Sequence, residues 1–202
     1  MSQNPYSNNV LLNLGIQSLN KMQEVAQNAI LNEDNILLLS PTGSGKTLAF
    51  LLPIFQLLEE DVKGVQCLIL VPSRELGLQI EQVWKKMGTH YKVNTCYGGH
   101  SIDIEINNLS NPPALLIGTP GRIADHLDRG SFATDNIKTY VLDEFDKSLQ
   151  LGFHEDMSYI IGKITRANKR ILVSATSGVE IPKYTKVIDP KVIDFIPNQK
   201  QN

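Results

Sequence analysis

Short apolar runs alternate with longer segments of mixed polarity along almost the whole sequence, and this alternation restricts the fold more than any other feature. The runs are rich in Val, Ile and Leu, and they lack the regular polar positions of a strand that has one face in water. Strands that are buried on both faces are typical of parallel sheets. The predicted strands span residues 35–39, 65–71, 93–97, 114–117, 139–142, 170–173 and 191–195.

The segments between these runs have the spacing of amphipathic helices. A strand that is followed by a helix, repeated along a chain, predicts an α/β fold in which a parallel sheet is covered by helices on both faces. Ligands of such sheets bind at the carboxyl ends of the strands, so the residues directly after each apolar run are the first candidates for a site. The predicted helices span residues 21–31, 46–59, 74–87, 102–109, 121–127 and 155–165.

The composition fits one globular domain, because 42% of the 202 residues are hydrophobic. The net charge of −2 gives no overall attraction to nucleic acid, so such a partner would have to meet a local basic patch. The two cysteines have no Cys or His at metal-ligand spacing, which argues against a zinc site and favours a reducing compartment. Without a signal peptide pattern or an apolar run long enough for a membrane, we expect a cytoplasmic protein.

A glycine-rich loop follows the first apolar run and leads into a helix. Residues 40–47 read Ser-Pro-Thr-Gly-Ser-Gly-Lys-Thr, which matches the phosphate-binding pattern except that Ser40 stands where the strict form has Gly. Gly43 and Gly45 allow successive N–H groups to face one point, Lys46 reaches phosphate oxygens, and Thr47 offers a hydroxyl to Mg²⁺. The alternative is a plain glycine-rich turn, but the strand before it and the helix after it favour a nucleoside triphosphate loop.

Three carboxylates follow the apolar run 139–142 within four positions. Asp143, Glu144 and Asp146 mark either a strand that has reached solvent or a site that holds a cation, because an unpaired buried carboxylate is costly. A Mg²⁺ ion between Thr47 and a triphosphate needs an acid from a neighbouring strand. Asp143 is the candidate for that acid, and Glu144 is the candidate for activating water.

Together with five further short motifs, these residues resemble the first RecA-like domain of a DEAD-box RNA helicase, from about residue 6 to about residue 196. The helicase form of the phosphate loop tolerates Ser at its first position. The motifs occur in the family's order: Gly15 with Gln23, residues 40–47, residues 72–76 (Pro-Ser-Arg-Glu-Leu), Gly98 with Gly99, residues 119–122 (Thr-Pro-Gly-Arg), residues 143–146 (Asp-Glu-Phe-Asp) and residues 174–176 (Ser-Ala-Thr).

The resemblance implies that ATP is the nucleotide. It implies that Gln23 hydrogen-bonds the edge of adenine and that Tyr6 stacks on its face, within an adenine-recognition segment of about residues 6–23. The chemistry agrees, because a carboxamide offers the donor and the acceptor that adenine requires. The residues implied for the triphosphate are Thr42, Gly43, Ser44, Gly45, Lys46 and Thr47.

The resemblance also implies the catalytic and metal residues. Thr47 and Asp143 would bind Mg²⁺, partly through water, while Lys46 serves the phosphates. Glu144 would position and deprotonate the attacking water. Asp146, Ser174 and Thr176 would form a hydrogen-bonded link from the hydrolysis site to the rest of the molecule.

RNA is the partner that the resemblance implies. Arginines grip phosphates and glycines allow close approach of a backbone, so sequence-independent binding is expected. Taken singly, a strand-end turn at the glycines and a surface arginine in a helix remain alternatives. The implied RNA contacts are Arg74, Gly98, Gly99, Thr119 and Arg122.

Two departures from the family pattern lie near the implied site. Phe145 stands where the family has a small Ala, so a bulky ring must be accommodated there; we expect a packing variant with no part in the chemistry. Leu19 and Asn20 replace the Pro-Thr that commonly precedes the adenine-reading Gln.

The chain contains no counterpart of the family's second RecA-like domain. We therefore expect one ATP-binding domain at residues 1–196, the start of a polar interdomain linker at residues 197–202, and a second domain as partner of a monomeric, membrane-free protein. The expected function couples ATP hydrolysis to local remodelling of RNA duplexes or RNA–protein complexes, with little activity in this domain alone. A nucleotide-switched RNA-binding module and a stand-alone small NTPase are the alternatives.

Overall fold

A seven-stranded, entirely parallel sheet forms the centre of the molecule in a computed structural model, which describes residues 8–197. The strand order is β3-β4-β2-β5-β6-β1-β7. The strands are β1 (Asn35–Leu39), β2 (Cys67–Leu70), β3 (Val93–Cys96), β4 (Leu115–Gly118), β5 (Thr139–Leu142), β6 (Lys169–Ser174) and β7 (Lys191–Asp194).

Eight α-helices and one short 3-10 helix are described in residues 8–197. Their order confirms the predicted alternation of strand and helix, and with it the α/β fold class. The α-helices are α1 (Asn8–Leu14), α2 (Lys21–Asn32), α3 (Lys46–Leu57), α4 (Arg74–Met87), α5 (Ile102–Leu109), α6 (Pro120–Arg129), α7 (Phe145–Gln150) and α8 (His154–Lys163), and the 3-10 helix spans Lys183–Thr185.

The core has two layers because successive strand residues point to opposite faces of the sheet. In β2, Ile69 packs with side chains of α2, α3 and α4, whereas Leu68 and Leu70 pack with side chains of α6, α7 and α8. Ile69 lies between Ile117 of β4 and Val141 of β5 in the register. Both faces are therefore apolar and covered, which is the reason that the strands read as continuous apolar runs.

Side-chain caps lie at the start of several helices, directly before the residues at which the sequence predicts these helices to begin. Ser73 accepts a hydrogen bond from the N–H of Leu76 at 3.3 Å, and Ser101 accepts one from Ile104 at 3.5 Å. Asn20 forms a reciprocal capping box with Gln23 at the start of α2. These polar groups satisfy N–H donors that have no partner within their helix.

Several predicted boundaries are wrong by one or two residues. The helix predicted at residues 46–59 ends at Leu57, because Leu58 adopts an extended conformation. The helix predicted at residues 121–127 begins at Pro120, which suits the first helical position because proline lacks an N–H. The strand predicted at residues 65–71 is confined to Cys67–Leu70.

Both cysteines are buried, free thiols. Burial raises the pKa of the Cys96 thiol to about 12, so the group stays neutral. Among residues 8–197, no helix has the length and apolar character that crossing a membrane requires.

Candidate active site and adjoining groove

The strand order sorts the predicted site residues into two neighbouring groups along one edge of the sheet. The loops after β5, β6 and β1 carry Asp143, Thr176 and residues 40–45 of the phosphate-binding motif, and Lys46 begins α3 directly after the last of these loops. The loops after β3, β4 and β2 carry Gly98, Thr119 and the residues that lead to Arg74. The first group contains the residues predicted for nucleotide chemistry, and the second contains the residues predicted for RNA.

The phosphate loop has the backbone that its glycines allow. Gly43 and Gly45 have φ values of 79° and 88°, in the left-handed region that favours glycine. A Cβ atom at Gly45 would lie only 2.5 Å from Nε2 of Gln23, so the loop and α2 approach too closely for a side chain. Ser40 donates its hydroxyl to Ser44 Oγ at 2.7 Å, which joins the two ends of the loop. The free N–H groups of the first turn of α3 begin directly after it.

Lys46 and Asp143 are the charged residues at the centre of the first group. The Nζ atom of Lys46 is buried and has no hydrogen-bond partner within residues 8–197. Asp143 is only 3% exposed, and burial raises the pKa of its carboxyl to about 7 although Lys46 acts to lower it. An orphaned ammonium group beside a glycine loop fits a phosphate, and a buried carboxylate at a strand end fits a divalent cation.

Glu144 differs sharply from its neighbour in its environment. Its φ of 49° and ψ of 45° place it in the left-handed region, which costs a residue with a side chain about 1 kcal/mol. Its carboxylate forms an ion pair with Lys147 at 3.1 Å. The backbone changes conformation at Glu144, so the alternation of side chains between the two faces of the sheet ends at this residue. Asp143 remains buried at the end of the strand.

A short hydrogen-bonded chain connects α7 to the end of β6. Thr176 donates its hydroxyl to Asp146 Oδ2 at 2.8 Å. Ser174 accepts a hydrogen bond from the N–H of Thr176 at 3.1 Å. The other oxygen of Asp146, Oδ1, is buried and has no partner within residues 8–197. The structure thus brings together the residues predicted for coupling.

Gln23 contacts the phosphate loop. Its Oε1 accepts a hydrogen bond from the N–H of Asn20 at 2.9 Å, and its Nε2 donates to Gly45 O at 3.2 Å. Asn20 donates to Ser44 O at 3.0 Å. The amide of Gln23 keeps one N–H and one lone pair for a further partner. Tyr6 lies outside the described residues.

An open groove of about 500 Å³ lies beside this site, over the loops after β2, β3 and β4. It holds four of the five predicted RNA contacts; Gly99 is the exception. The lining residues are Pro72, Ser73, Arg74, Glu75, Tyr97, Gly98, Thr119, Gly121, Arg122, Asp125 and Phe153.

The two arginines of the groove are held by different contacts. The guanidinium of Arg74 lies over the ring of Tyr97, 4.9 Å from its centroid. Arg122 is only 14% exposed and donates to Glu105 Oε1 at 3.0 Å. Sequence reasoning missed Tyr97 and Glu105, because no local pattern distinguishes an aromatic residue at a strand end or a carboxylate in an amphipathic helix.

Comparisons with known proteins agree with this arrangement. The sequence model of the DEAD/DEAH box helicase family matches residues 20–183. The protein named ATP-dependent RNA helicase DeaD of Escherichia coli is 36% identical over 179 residues, which are 87% of this chain and 28% of that protein. The protein named ATP-dependent rRNA helicase RRP3 of Encephalitozoon cuniculi is 37% identical over 183 residues, which are 89% of this chain and 46% of that protein.

A solved structure has the same fold. The crystal structure of a DEAD box protein from the hyperthermophile Methanococcus jannaschii superposes with a TM-score of 0.86 and 33% identity, and the match covers 96% of this chain and 54% of the other. The chain spans 28% and 46% of the two relatives compared above. Its fold is therefore the RecA-like α/β fold, and the chain belongs to the DEAD/DEAH box helicase family.

Proposed function

We propose that this chain is the ATP-binding first RecA-like domain of an RNA helicase that couples ATP hydrolysis to local remodelling of RNA duplexes or RNA–protein complexes. The names of the relatives, ATP-dependent RNA helicase and ATP-dependent rRNA helicase, support this proposal. Because the chain matches 28% of the Escherichia coli protein, the complete activity in our proposal requires a second RecA-like domain.

The observation that carries the proposal is the buried ammonium group of Lys46, which has no hydrogen-bond partner in the part of the chain that the structure describes. A buried polar group without a hydrogen-bond partner is costly, and a ligand that accepts its hydrogen bonds would remove that cost. Phosphate oxygens would accept hydrogen bonds from Lys46 and from the N–H groups of the glycine loop and the first turn of α3.

Each carboxylate has a separate role in the proposed hydrolysis. A Mg²⁺ ion bound by Thr47 and Asp143, partly through water, would neutralise charge on the phosphates. Glu144 orients the attacking water and accepts its proton. Lys147, on the helix that follows, holds the Glu144 carboxylate in an ion pair at 3.1 Å.

Recognition of the base rests on Gln23. The N–H and the lone pair that remain on its amide match the ring-nitrogen acceptor and the amino donor of adenine. The same amide is fixed by Asn20 and Gly45, so base recognition and loop geometry share one side chain. Guanine carries a carbonyl in place of the amino group and would place two acceptors together.

In the groove, we propose that an RNA backbone contacts Arg74, Thr119 and the glycine turn at Gly98 and Gly99. Arg122 would add a contact from the groove wall. All these groups suit phosphates and sugars, so binding would not depend on base sequence.

Calorimetric titration with Mg²⁺-ADP and Mg²⁺-GDP tests the nucleotide assignment. We expect clear preference for ADP, and a Lys46→Ala variant should bind at least about tenfold more weakly because it lacks the charge that faces the phosphates. Lys85→Ala, which removes an exposed lysine paired with Glu81, is the matched control. Equal affinity for the two nucleotides would contradict adenine recognition, and unchanged affinity in Lys46→Ala would contradict the phosphate site.

A further inference from the structure

The carboxylate of Glu105 is the centre of a buried hydrogen-bond network below the groove. It is 2% exposed, and both of its oxygens have two partners. Oε1 lies 3.0 Å from Arg122 Nη1 and 2.8 Å from His126 Nε2. Oε2 accepts the N–H of Tyr97 at 3.0 Å and lies 3.2 Å from His100 Nδ1.

The network joins segments that are distant in the sequence. Glu105 lies on α5, Arg122 and His126 lie on α6, and Tyr97 and His100 flank the glycine turn after β3. Arg122 also donates from Nη1 and Nη2 to the backbone oxygen of His100, both at 3.1 Å. The turn that contains Gly98 and Gly99 is therefore attached at both of its ends, directly by Glu105 and through Arg122.

The second arginine of the groove depends on the same network. Arg74 lies over the ring of Tyr97 at 4.9 Å, and the backbone N–H of Tyr97 is the group that Glu105 accepts. The ring of His100 lies 5.4 Å from the ring of Tyr97. Displacement of the Tyr97 backbone would therefore move the surface on which Arg74 rests.

The partners of Glu105 stabilise its charged form. Burial acts to raise the pKa of Glu105, but hydrogen bonds from His126 and Tyr97 and the charge of Arg122 outweigh it and hold the pKa below its ordinary value. Cys96, Glu105 and His126 lie close enough together to suggest a metal site. The guanidinium of Arg122 already occupies Oε1, and the buried Cys96 thiol is neutral, so a positive ion would meet a cation and lack a thiolate.

We propose that Glu105 is the positioning residue of the RNA groove: it fixes Arg122 and the glycine turn directly, and Arg74 through Tyr97. This inference rests on the proposed function, because it assigns the groove to an RNA backbone. Glu105 itself is buried and contacts no RNA. Its effect is to hold three separate phosphate-binding elements in one rigid arrangement, which lowers the entropy lost on binding.

Two substitutions separate the parts of the network. Glu105→Leu removes both acceptor oxygens. Glu105→Gln keeps an oxygen for Arg122 and His126 but turns an amide N–H₂ toward the N–H of Tyr97, so it preserves one side of the network and breaks the other. Asp103→Asn makes the same loss of charge at an exposed position on the same helix and is the matched control.

Fluorescence anisotropy with a labelled single-stranded oligouridylate measures the effect on binding. We expect Glu105→Leu to weaken RNA binding by about tenfold or more, Glu105→Gln to lie between it and the parent, and Asp103→Asn to match the parent. The slope of log K against log salt concentration should become shallower by about 0.7 for each RNA phosphate that the variant no longer neutralises. ADP affinity should stay the same in every variant, which also verifies that each variant is folded; if Glu105→Leu does not fold, Glu105→Gln decides.

NMR of arginine side chains tests the positioning without RNA. In the parent, the Arg122 Nη protons should exchange slowly because Glu105 and the His100 carbonyl hold them. Glu105→Leu should alter this signal, whereas Glu105→Gln, which keeps an oxygen for Arg122, and Asp103→Asn should leave it close to that of the parent. Failure of the parent to bind RNA would refute the proposed function and leave the NMR result to decide on Glu105. An unaltered Arg122 signal in Glu105→Leu, or parent-like RNA affinity and salt slope in the same variant, would overturn the inference.

Discussion

At the scale of single residues, adjacent carboxylates have opposite environments. Asp143 is buried at the end of β5 and accepts the N–H of Glu144 at 2.9 Å, whereas Glu144 is paired with Lys147 on the helix that follows. Burial disfavours the charged form of Asp143 until a cation compensates it. Below about pH 7 the folded protein therefore keeps Asp143 protonated, and in the proposed function a bound cation would stabilise its charged form.

This arrangement predicts how stability depends on pH. With a folded pKa of about 7 and an ordinary pKa of 3.8, Asp143 keeps a proton in the folded protein that the unfolded chain releases between those values. The free energy of unfolding therefore falls as pH rises through that range, by up to about 4 kcal/mol above pH 7. Asp143→Asn removes this penalty and keeps the oxygen that accepts the N–H of Glu144.

Urea unfolding of the parent and Asp143→Asn at a series of pH values measures the effect. The variant should become progressively more stable than the parent between about pH 4 and pH 7, and the difference should then level off. Exposed Asp103→Asn controls for loss of a surface carboxylate. A difference that does not grow with pH would show that the Asp143 carboxylate is not destabilised by burial.

Substitutions at Phe145 should change the stability of the protein, whereas a substitution at Glu144 should change its ATP hydrolysis. Phe145 is 1% exposed and packs in the apolar layer that includes Leu142 and Met157, so Phe145→Ala should lower the free energy of unfolding by about 3–5 kcal/mol. Phe145→Leu should lower it less and keep ATP hydrolysis, because a phenyl ring neither transfers protons nor binds Mg²⁺. Glu144→Gln should keep stability and lose hydrolysis.

Phosphate release in the presence of RNA and the second domain, together with thermal unfolding, measures both effects. A folded Phe145→Leu protein that is as inactive as Glu144→Gln would contradict this division of roles.

At the scale of secondary structure elements, the surroundings of two glycines predict that the same substitution, Gly to Ala, changes stability in opposite directions. A Cβ atom on Gly118, at the end of β4, would lie 2.4 Å from Ile123 Cδ1 and 2.9 Å from the backbone oxygen of Cys96. Gly162 lies exposed in α8 with open space around it. Gly118→Ala should therefore destabilise the protein by about 1–3 kcal/mol, whereas Gly162→Ala should stabilise it by about 0.5–1 kcal/mol.

Thermal unfolding of the two variants measures these changes, and each serves as the other's control for the added methyl group. Gly118→Ala should also weaken RNA binding, because α6 carries Arg122 and must move to admit the methyl group. Two variants with shifts of the same sign would contradict the explanation.

Elements with strong local signals could be predicted from the sequence. The helices at Arg74–Met87 and Ile102–Leu109 and the strand at Asn35–Leu39 were predicted with their observed bounds, because caps and apolar runs define their ends. The helices Asn8–Leu14 and Phe145–Gln150 were not predicted, since each is at most two turns long and is stabilised by packing rather than by a local pattern.

The candidate site was predictable only in part. The phosphate loop and the carboxylates after β5 are contiguous motifs, so the residue types and their order are enough to recognise both from the sequence. The partial burial of Arg122 is not visible in the sequence, because its partner Glu105 is 17 residues away on another helix. Contacts between elements arise from the sheet order, and local patterns do not encode that order.

At the scale of the whole molecule, the proposed nucleotide site and the proposed RNA groove both lie on the surface of this domain, and each would be closed from the opposite side by a second domain. The nucleotide group and the groove lie side by side along the carboxyl edge, and the arginines of the groove are assigned to RNA. In related phosphoryl-transfer enzymes an arginine from an opposing wall contributes about 10³ to 10⁵ in rate, or roughly 4 to 7 kcal/mol. We therefore expect residues 1–202 alone to hydrolyse ATP at least about 10³-fold more slowly than the same residues joined to a second RecA-like domain.

Steady-state phosphate release, with and without RNA, tests this expectation on the chain alone and after fusion to a second domain. Fused Glu144→Gln is the control for contaminating activity. Turnover by the chain alone at the rate of the fusion would favour a stand-alone NTPase. Nucleotide-dependent RNA binding without hydrolysis, even in the fusion, would favour a switched binding module.

The position of β1 between β6 and β7 has a consequence for biosynthesis. The strand that leads into the phosphate loop has both of its neighbours near the other end of the chain, and Arg170 contacts Asn35 across 135 residues. A ribosome needs on the order of ten seconds to make that length. During this time the nascent strand, which is almost wholly apolar, has no pairing partner in the sheet and presents two open edges to chaperones or to other chains. In the proposed function, nucleotide would bind next to a strand whose neighbours β6 and β7 are made last, so binding would indicate that the domain is complete.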